Sequence, residues 1–356
     1  MSRFFSQKYD ALTPYTPGEQ PKERKYIKLN TNESPFPPSP KAIDAAAKAA
    51  ASLQLYSDPT ASKLHEKIAT LYGVEPENVL ATNGSDEILN FAFMAFCDKE
   101  HPAIFPNITY GFYSVFAELN GVPYEEIPLK ADFTVDPEDY IGKNKTIFIA
   151  NPNAPTGISL SHDTIEEIVK SNPDSVVVID EAYVDFGGES AAKLTKTYKN
   201  LLVTGTFSKS RSMAGARLGF GIACKELIND LNTIKYSTNP YNVNAMTMAA
   251  GIATLEDEEY TQKNCRTVIE NRTYLAEELK KRGFVMTDSK ANFLFAAHPD
   301  HEGKDLYLAL REKGILVRHF QKPLIDQYLR ITIGAKEECE ALIAAFDAIF
   351  SETKEV

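Results

Sequence analysis

An α/β fold is predicted, with a large domain in which strands and helices alternate and a smaller domain of mixed sheet and helix behind it. Strand–turn–helix units recur in the first half of the chain, at VLATNGSDEILNFAFMAF (79–96), AIFPNITYGFYSVFAELNG (103–121) and KTIFIANPNAPTGISLS (145–161). Two further runs, SVVVID (175–180) and LLVTGT (201–206), are continuously apolar up to their last residues, as strands covered on both faces of a parallel sheet are. Beyond Phe220, long helical stretches lead into a second group of strand patterns.

In chain order, residues 1–38 read as an extended arm. LNTNESPFPPSP (29–40) holds four prolines, which forbid a helix and disfavour a central strand. Tyr15, Tyr26, Ile27, Leu29 and Phe36 nonetheless give the arm apolar side chains to pack on something. Residues 40–55 are alanine-rich and helical by propensity. Leu64, Ile68 and Leu71 then recur at helical spacing behind the turn and cap chemistry of Ser57 to Thr60. The large domain is expected over 39–245 and the small one over 246–356, with the arm joined to it. FVMTDSKANFLFAAH, GILVRHF and YLRITIG are the expected strands of the small domain, and CEALIAAFDAIF its closing helix.

Composition narrows the function classes. A net charge of -11 argues against nucleic-acid binding, which calls for clustered Lys and Arg. The four cysteines, Cys97, Cys224, Cys265 and Cys339, are widely spaced and form no CxxC pair, so neither a disulfide framework nor a metal site is expected, and a reducing, cytoplasmic setting is. No apolar run suggests a signal peptide or a membrane span.

Several residues stand out for chemistry. Lys209 lies just past the buried strand 201–206, where a lysine either snorkels to water or has its amine pKa lowered for nucleophilic use. Thr206, Ser208, Arg211 and Arg217 surround it with hydroxyls and guanidiniums, and Gly215 and Gly219 allow close backbone approach, a set able to hold a phosphate dianion. Gly84, Ser85 and Asp86 open a helix whose free N–H groups form a ready anion site, although Asp86 alone also reads as a plain cap. Asp180 ends a parallel strand, where open α/β sheets place their ligands, and a buried carboxylate there needs a cationic or donor partner. Arg330 sits among apolar neighbours in LRITIG and needs an anion, either an internal salt bridge or a substrate.

TFSKSRSMAGARLGF (206–220) resembles the Schiff-base lysine segment of the fold-type I pyridoxal-phosphate aminotransferases, whose large domain carries a mostly parallel seven-stranded sheet. The resemblance implies that Lys209 holds pyridoxal 5′-phosphate and later moves the proton, with Thr206, Ser208 and Arg217 on the cofactor phosphate. It places the amides of Gly84, Ser85 and Asp86 on that phosphate too, the Tyr110 ring against the pyridine, Asp180 on the pyridine nitrogen and Tyr183 on the phenolic oxygen. NPNAPTG (151–157) departs from the family's NPxNPTG at Ala154, so the contact made there by an asparagine is either lost or supplied by Asn151 or Asn153, of which Asn151, at the strand end, is the expected one. Tyr56 matches a tyrosine that reaches the cofactor phosphate of the neighbouring subunit, which implies a homodimer with shared sites. Asn32, with Glu33, Ser34 and Pro35, matches the element lining the substrate entrance.

DEAYVDF (180–186) is similar to the histidinol-phosphate branch in particular, which implies substrate-phosphate contacts from Tyr15, Arg318 and Arg330 and 2-oxoglutarate as amino acceptor. An aminotransferase for aromatic or other amino acids would use the same residues, with Arg330 reading a carboxylate. A threonine-phosphate decarboxylase would keep the arginines and break a different bond. A non-catalytic cofactor-binding regulator is disfavoured by the presence together of Lys209, Asp180 and Tyr183.

Overall fold

The computed structural model describes residues 2–10 and 12–352. The arm carries β1 (Ile27–Leu29), and two helices follow it, α1 (Pro40–Ala50) and α2 (Ser62–Tyr72). The strand–helix units come next, as β2 (Val79–Thr82), α3 (Ser85–Phe96), β3 (Ala103–Pro106), α4 (Phe112–Asn120), β4 (Tyr124–Ile127), β5 (Thr146–Ala150), α5 (His162–Ser171), β6 (Val177–Asp180) and β7 (Leu201–Thr206). After β8 (Gly219–Ala223) three helices run in succession, α6 (Lys225–Thr238), α7 (Ala245–Leu255) and α8 (Glu258–Lys281). The chain closes with β9 (Val285–Met286), β10 (Phe293–Ala297), α9 (Gly303–Glu312), β11 (Ile315–His319), β12 (Leu329–Thr332) and α10 (Lys336–Glu352).

Seven strands form the larger sheet in the order β2-β8-β7-β6-β5-β3-β4. Only β8 runs against its neighbours; the remaining pairs are parallel, with α4 in the crossover from β3 to β4 and α5 in that from β5 to β6, whereas β6 and β7 are joined through short 3-10 segments at Val184–Phe186 and Ala191–Lys196. Side chains alternate between two cores. Val177, Ile179, Leu201 and Val203 enter one, whereas Val178, Leu202 and Phe148 enter the other. This is why the central strands read as continuous apolar runs. The edge strand β4 is the exception, exposing Glu125 and Glu126 on a border that charge keeps from pairing further.

The second sheet, β1-β11-β12-β10-β9, packs with α8, α9 and α10 around Phe293, Leu310, Ile331 and Phe346. β1 pairs parallel with β11, and Leu29 is fully buried in that core. The arm is therefore a structural strand of the C-terminal sheet before it becomes anything else. α7 lies along α1, and its Ala250 belongs to the larger core. Among the described residues no helix is long and apolar enough to cross a membrane.

Candidate active site

The strand ends decide where the chemistry gathers. β6 and β7 are parallel and in register, Asp180 opposite Thr204, so their carboxyl ends deliver Asp180 and Thr206 to the same edge. One cavity there is lined by Ser85, Asp86, Tyr110, Ala154, Asp180, Tyr183, Thr206, Ser208, Lys209 and Arg217. Residues expected from separate parts of the chain thus meet around one space.

Lys209 reaches into it with its amine donating to the Thr31 carbonyl at 3.2 Å. Loss of hydration, reinforced by the Arg330 charge, brings that amine down to about 8. Asp180 is buried and accepts from the Tyr113 hydroxyl at 3.0 Å and the Thr204 hydroxyl at 3.2 Å. Burial pushes its carboxyl up to about 6, those two donors acting in the opposite sense. No cation bonds it among the described residues, so a protonated ring nitrogen placed beside it would supply what its environment lacks. Tyr113 and Thr204 escaped sequence reasoning. Thr204, the first polar residue of LLVTGT and in register with Asp180, is the signal that points to the second of them.

At the other end of the cavity α3 begins. Gly84 has φ +82 and precedes the free amides of the first turn, and a Cβ there would lie 2.5 Å from Arg217 Nη2. Arg217 donates to Asp86 at 2.9 Å, and Asp86 also accepts from the Tyr110 hydroxyl at 2.7 Å. The Asp86 side chain therefore braces both the guanidinium and the aromatic ring, a part beyond capping. Ser208 completes the cradle: its N–H donates to Thr206 Oγ1 at 3.1 Å, and the two hydroxyls are 3.0 Å apart.

Gly219 is what lets α3 approach. A Cβ at that position would stand 2.3 Å from the Ser85 nitrogen, whereas one at Gly215 would meet nothing within 4 Å, so close approach belongs to Gly219 alone of the two. Gly219→Ala is expected to cost about 1–3 kcal/mol in denaturant unfolding, because backbone rather than a flexible side chain must give way. Gly215→Ala is the control and should leave the midpoint unchanged; equal effects would refute the packing argument.

The wider mouth of the cavity is lined by Tyr15, Thr31, Asn32, Tyr183, Lys209, Arg318, Lys322 and Arg330, with no Asp or Glu among its lining residues. Arg318 and Arg330 face each other across β11 and β12. Arg330 donates through Nη2 to the Asn30 carbonyl at 3.1 Å, and its buried Nε has no hydrogen-bond partner. Arg318 donates to the carbonyls of Thr16 and Pro17 at 3.2 Å each. Desolvation and the neighbouring Arg318 charge lower the Arg330 pKa, the cost of a cation held without a carboxylate. The salt-bridge alternative for Arg330 is therefore not what the structure contains. Tyr15 stacks on Phe112 at 4.3 Å between ring centroids, which brings the arm over the mouth.

Two expected residues lie elsewhere. Asn151 does not line the cavity: its Oδ1 accepts from Leu160 N–H at 2.7 Å and its amide points to the Leu160 carbonyl at 3.5 Å. Asn153 is likewise occupied, donating to the Ile108 carbonyl at 2.9 Å and accepting from Thr109 at 2.8 Å. The reason is local. Pro152 and Pro155 bring no N–H to this turn, so asparagine side chains brace it. Tyr56 is 82% exposed and stacks on Tyr241, with centroids 4.4 Å apart, outside the cavity of its own chain.

Comparison with known proteins agrees with this geometry. The family of class I and II aminotransferases matches residues 24–346. A histidinol-phosphate aminotransferase of Brachyspira hyodysenteriae is 50% identical over 345 residues, 96% of this chain and 98% of that one. Histidinol-phosphate aminotransferase 2 of Dechloromonas aromatica is 50% identical over 355 residues, covering 98% and 99% of the two chains. Among solved structures, the histidinol-phosphate aminotransferase of Sinorhizobium meliloti in complex with pyridoxal-5′-phosphate superposes with a TM-score of 0.90 over 99% of each chain at 20% identity, a likeness of fold. The chain thus belongs to the class I and II aminotransferases and has the α/β fold of that family's solved structures.

Proposed function

We propose that this enzyme transfers the amino group of L-histidinol phosphate to 2-oxoglutarate, a step of histidine biosynthesis. The observation that carries the reading is the mouth of the cavity. In a chain of net charge -11, Arg318, Arg330 and Lys322 converge on a space without a single acidic residue in its lining. Two guanidiniums side by side suit a dianion better than a carboxylate. The relatives with half their residues in common carry the matching name.

The cavity residues also fit the cofactor. The cradle of Gly84, Ser85, Ser208, Thr206 and Arg217 would take its phosphate, Tyr110 its ring face, Asp180 its ring nitrogen and Tyr183 its phenolic oxygen. Bound there, pyridoxal phosphate supplies an electron sink for the substrate's α-carbon. The protein's part is acid–base work and positioning. Lys209, its amine brought down to about 8, would take the proton from the substrate's α-carbon. Asp180 would hold a proton on the ring nitrogen, and Tyr183 would donate to the phenolic oxygen. Arg330 and Arg318 fix the substrate phosphate, and Tyr15 closes over it from the arm. Asn32, by its place in the same lining, belongs to this entrance.

The exposed Tyr56–Tyr241 pair, with Leu53 and Leu55 also exposed, supports a homodimer in which Tyr56 serves the partner's cofactor phosphate. Sedimentation at a single-chain mass would refute it. The reading also places the enzyme in the cytoplasm, where fractionation of the source cells would find it. As domains we propose the larger sheet with its helices and the smaller sheet with the arm, the boundary moved from the expected 245/246 to the end of α7 (Ala245–Leu255) because that helix packs in the larger core; limited proteolysis should cut there rather than within α7.

A substrate panel tests the activity. Histidinol phosphate with 2-oxoglutarate should yield glutamate at a kcat/KM at least about 100-fold above histidinol without its phosphate, two charge-assisted contacts being worth that much. Preference for phenylalanine, or release of carbon dioxide from threonine phosphate, would defeat the proposal.

A further inference from the structure

Asn32 follows β1 in a left-handed conformation, φ 55°, and is buried. Its backbone N–H donates to Thr332 Oγ1 at 2.9 Å, and the Thr332 hydroxyl donates back to Asn32 Oδ1 at 3.1 Å. Asn292 Nδ2 donates to the Asn32 carbonyl at 3.0 Å. The remaining group, Asn32 Nδ2, donates to the Tyr183 hydroxyl at 2.9 Å. This orientation of the amide follows from the network, since reversing it would leave the buried Thr332 proton without an acceptor.

We propose that Asn32 is a positioning residue for Tyr183: its amide occupies the acceptor side of the phenol, so the tyrosine's own proton is aimed into the cofactor cavity. A hydroxyl that accepts one hydrogen bond becomes a better donor in the next. Among the described residues no other side-chain amide bonds the Tyr183 hydroxyl. Ala154, packed in the same core as Tyr183, brings only a methyl group, and the side chains of Asn151 and Asn153 are occupied by their own turn. The donor that sharpens Tyr183 therefore comes from the arm, locked by Thr332 of β12 and by Asn292 to the smaller sheet. The charged and titratable groups around Tyr183 are Arg330 from β12, Asp180 from β6, Tyr15 from the arm, Tyr110 just before α4 and Tyr113 in its first turn, with Lys209, Asp86 and Arg217 in the shared lining.

The inference rests on the cofactor assignment and is tested on the holoenzyme by the pH midpoint of the bound cofactor's near-visible absorbance change. A donor to the phenolic oxygen favours the deprotonated form, so weakening it raises the midpoint. Asn32→Gly, which tolerates φ 55°, should raise it by about one pH unit, tenfold in proton affinity. Tyr183→Phe should raise it at least as far, and the double variant no further than Tyr183→Phe alone. An unchanged midpoint in Asn32→Gly, or an undiminished shift in the Tyr183→Phe background, overturns the proposal. Should the glycine variant not fold, Asn32→Asp reverses the polarity, because a carboxylate accepts the tyrosine's proton. Its rise should be smaller in the Tyr183→Phe background, and an equal rise overturns the proposal as well. A wild type that develops no absorbance band with pyridoxal phosphate overturns the cofactor assignment, and this inference with it.

Discussion

Replacing Lys209 with alanine is expected to lower amino-group transfer by at least about 10⁴-fold and to abolish the adduct that borohydride fixes at that position. The amine is brought near neutrality on a long side chain just past β7, where among the described residues its one hydrogen bond is to the Thr31 carbonyl. Asp180, the neighbouring alternative, is immobile between Tyr113 and Thr204. The pH dependence follows from the amine's value. Its pKa is depressed, so it is protonated and unreactive below about 8 and neutral above. Capture of a small aldehyde by the cofactor-free protein, trapped with borohydride, should rise about tenfold per pH unit up to near 8 and then level off. A rise that continues toward the ordinary lysine value of 10.5 would show that burial does not tune this amine. Linkage gives a second reading of the same shift. Between about 8 and 10.5 the unfolded chain binds the proton that the folded one does not, so the Lys209 contribution to stability grows with pH across that window.

Arg330→Met should reduce kcat/KM for the phosphorylated substrate by about 10–150-fold, the equivalent of about 1.5–3 kcal/mol for a charged hydrogen-bonded contact. Arg330→Lys should recover only part of this, since a point charge cannot reproduce the planar fork. Stability should move the other way. An arginine that anchors a fold has a carboxylate partner whose loss leaves an orphaned charge, but Arg330 has one carbonyl, the Phe293 and Phe320 rings at 5.5 and 5.6 Å, against which a methionine also packs, an Nε with no hydrogen-bond partner among the described residues, and a second arginine opposite. Its removal relieves repulsion and desolvation. The methionine variant is therefore expected to unfold at a temperature no lower than the wild type, and a drop of more than a few degrees would identify Arg330 as a structural cation instead. The combination of lost activity and retained stability separates a binding arginine from a packing one.

Much of the architecture was legible in the sequence because burial leaves a periodic trace. The continuous runs at 175–180 and 201–206 mark strands covered on both faces, and those strands stand at the centre of the sheet. Lys209, Asp180, Tyr183, Arg217 and the glycine turn before α3 were readable for a related reason: each follows an element whose end is marked by its own local chemistry. Partnership across the chain leaves no such trace. Tyr113 and Thr204 hold Asp180, Asp86 braces Arg217 and Tyr110, and Gly219 makes room for Ser85, all by virtue of strand order and register.

NPNAPTG shows where the division falls. From sequence, Asn151 at a strand end is the natural substitute for the amide missing at Ala154, yet two prolines without N–H groups require that side chain for the turn itself. The amide that reaches Tyr183 comes from Asn32, more than a hundred residues earlier, because β1 joins the C-terminal sheet and Thr332 fixes the residue after it. Residue types and local periods determined which groups this protein owns and the elements that carry them. Only the tertiary fold decided which of them meet, since contact between distant residues depends on strand pairing and on competition for each hydrogen bond, neither of which is written in any short stretch of chain.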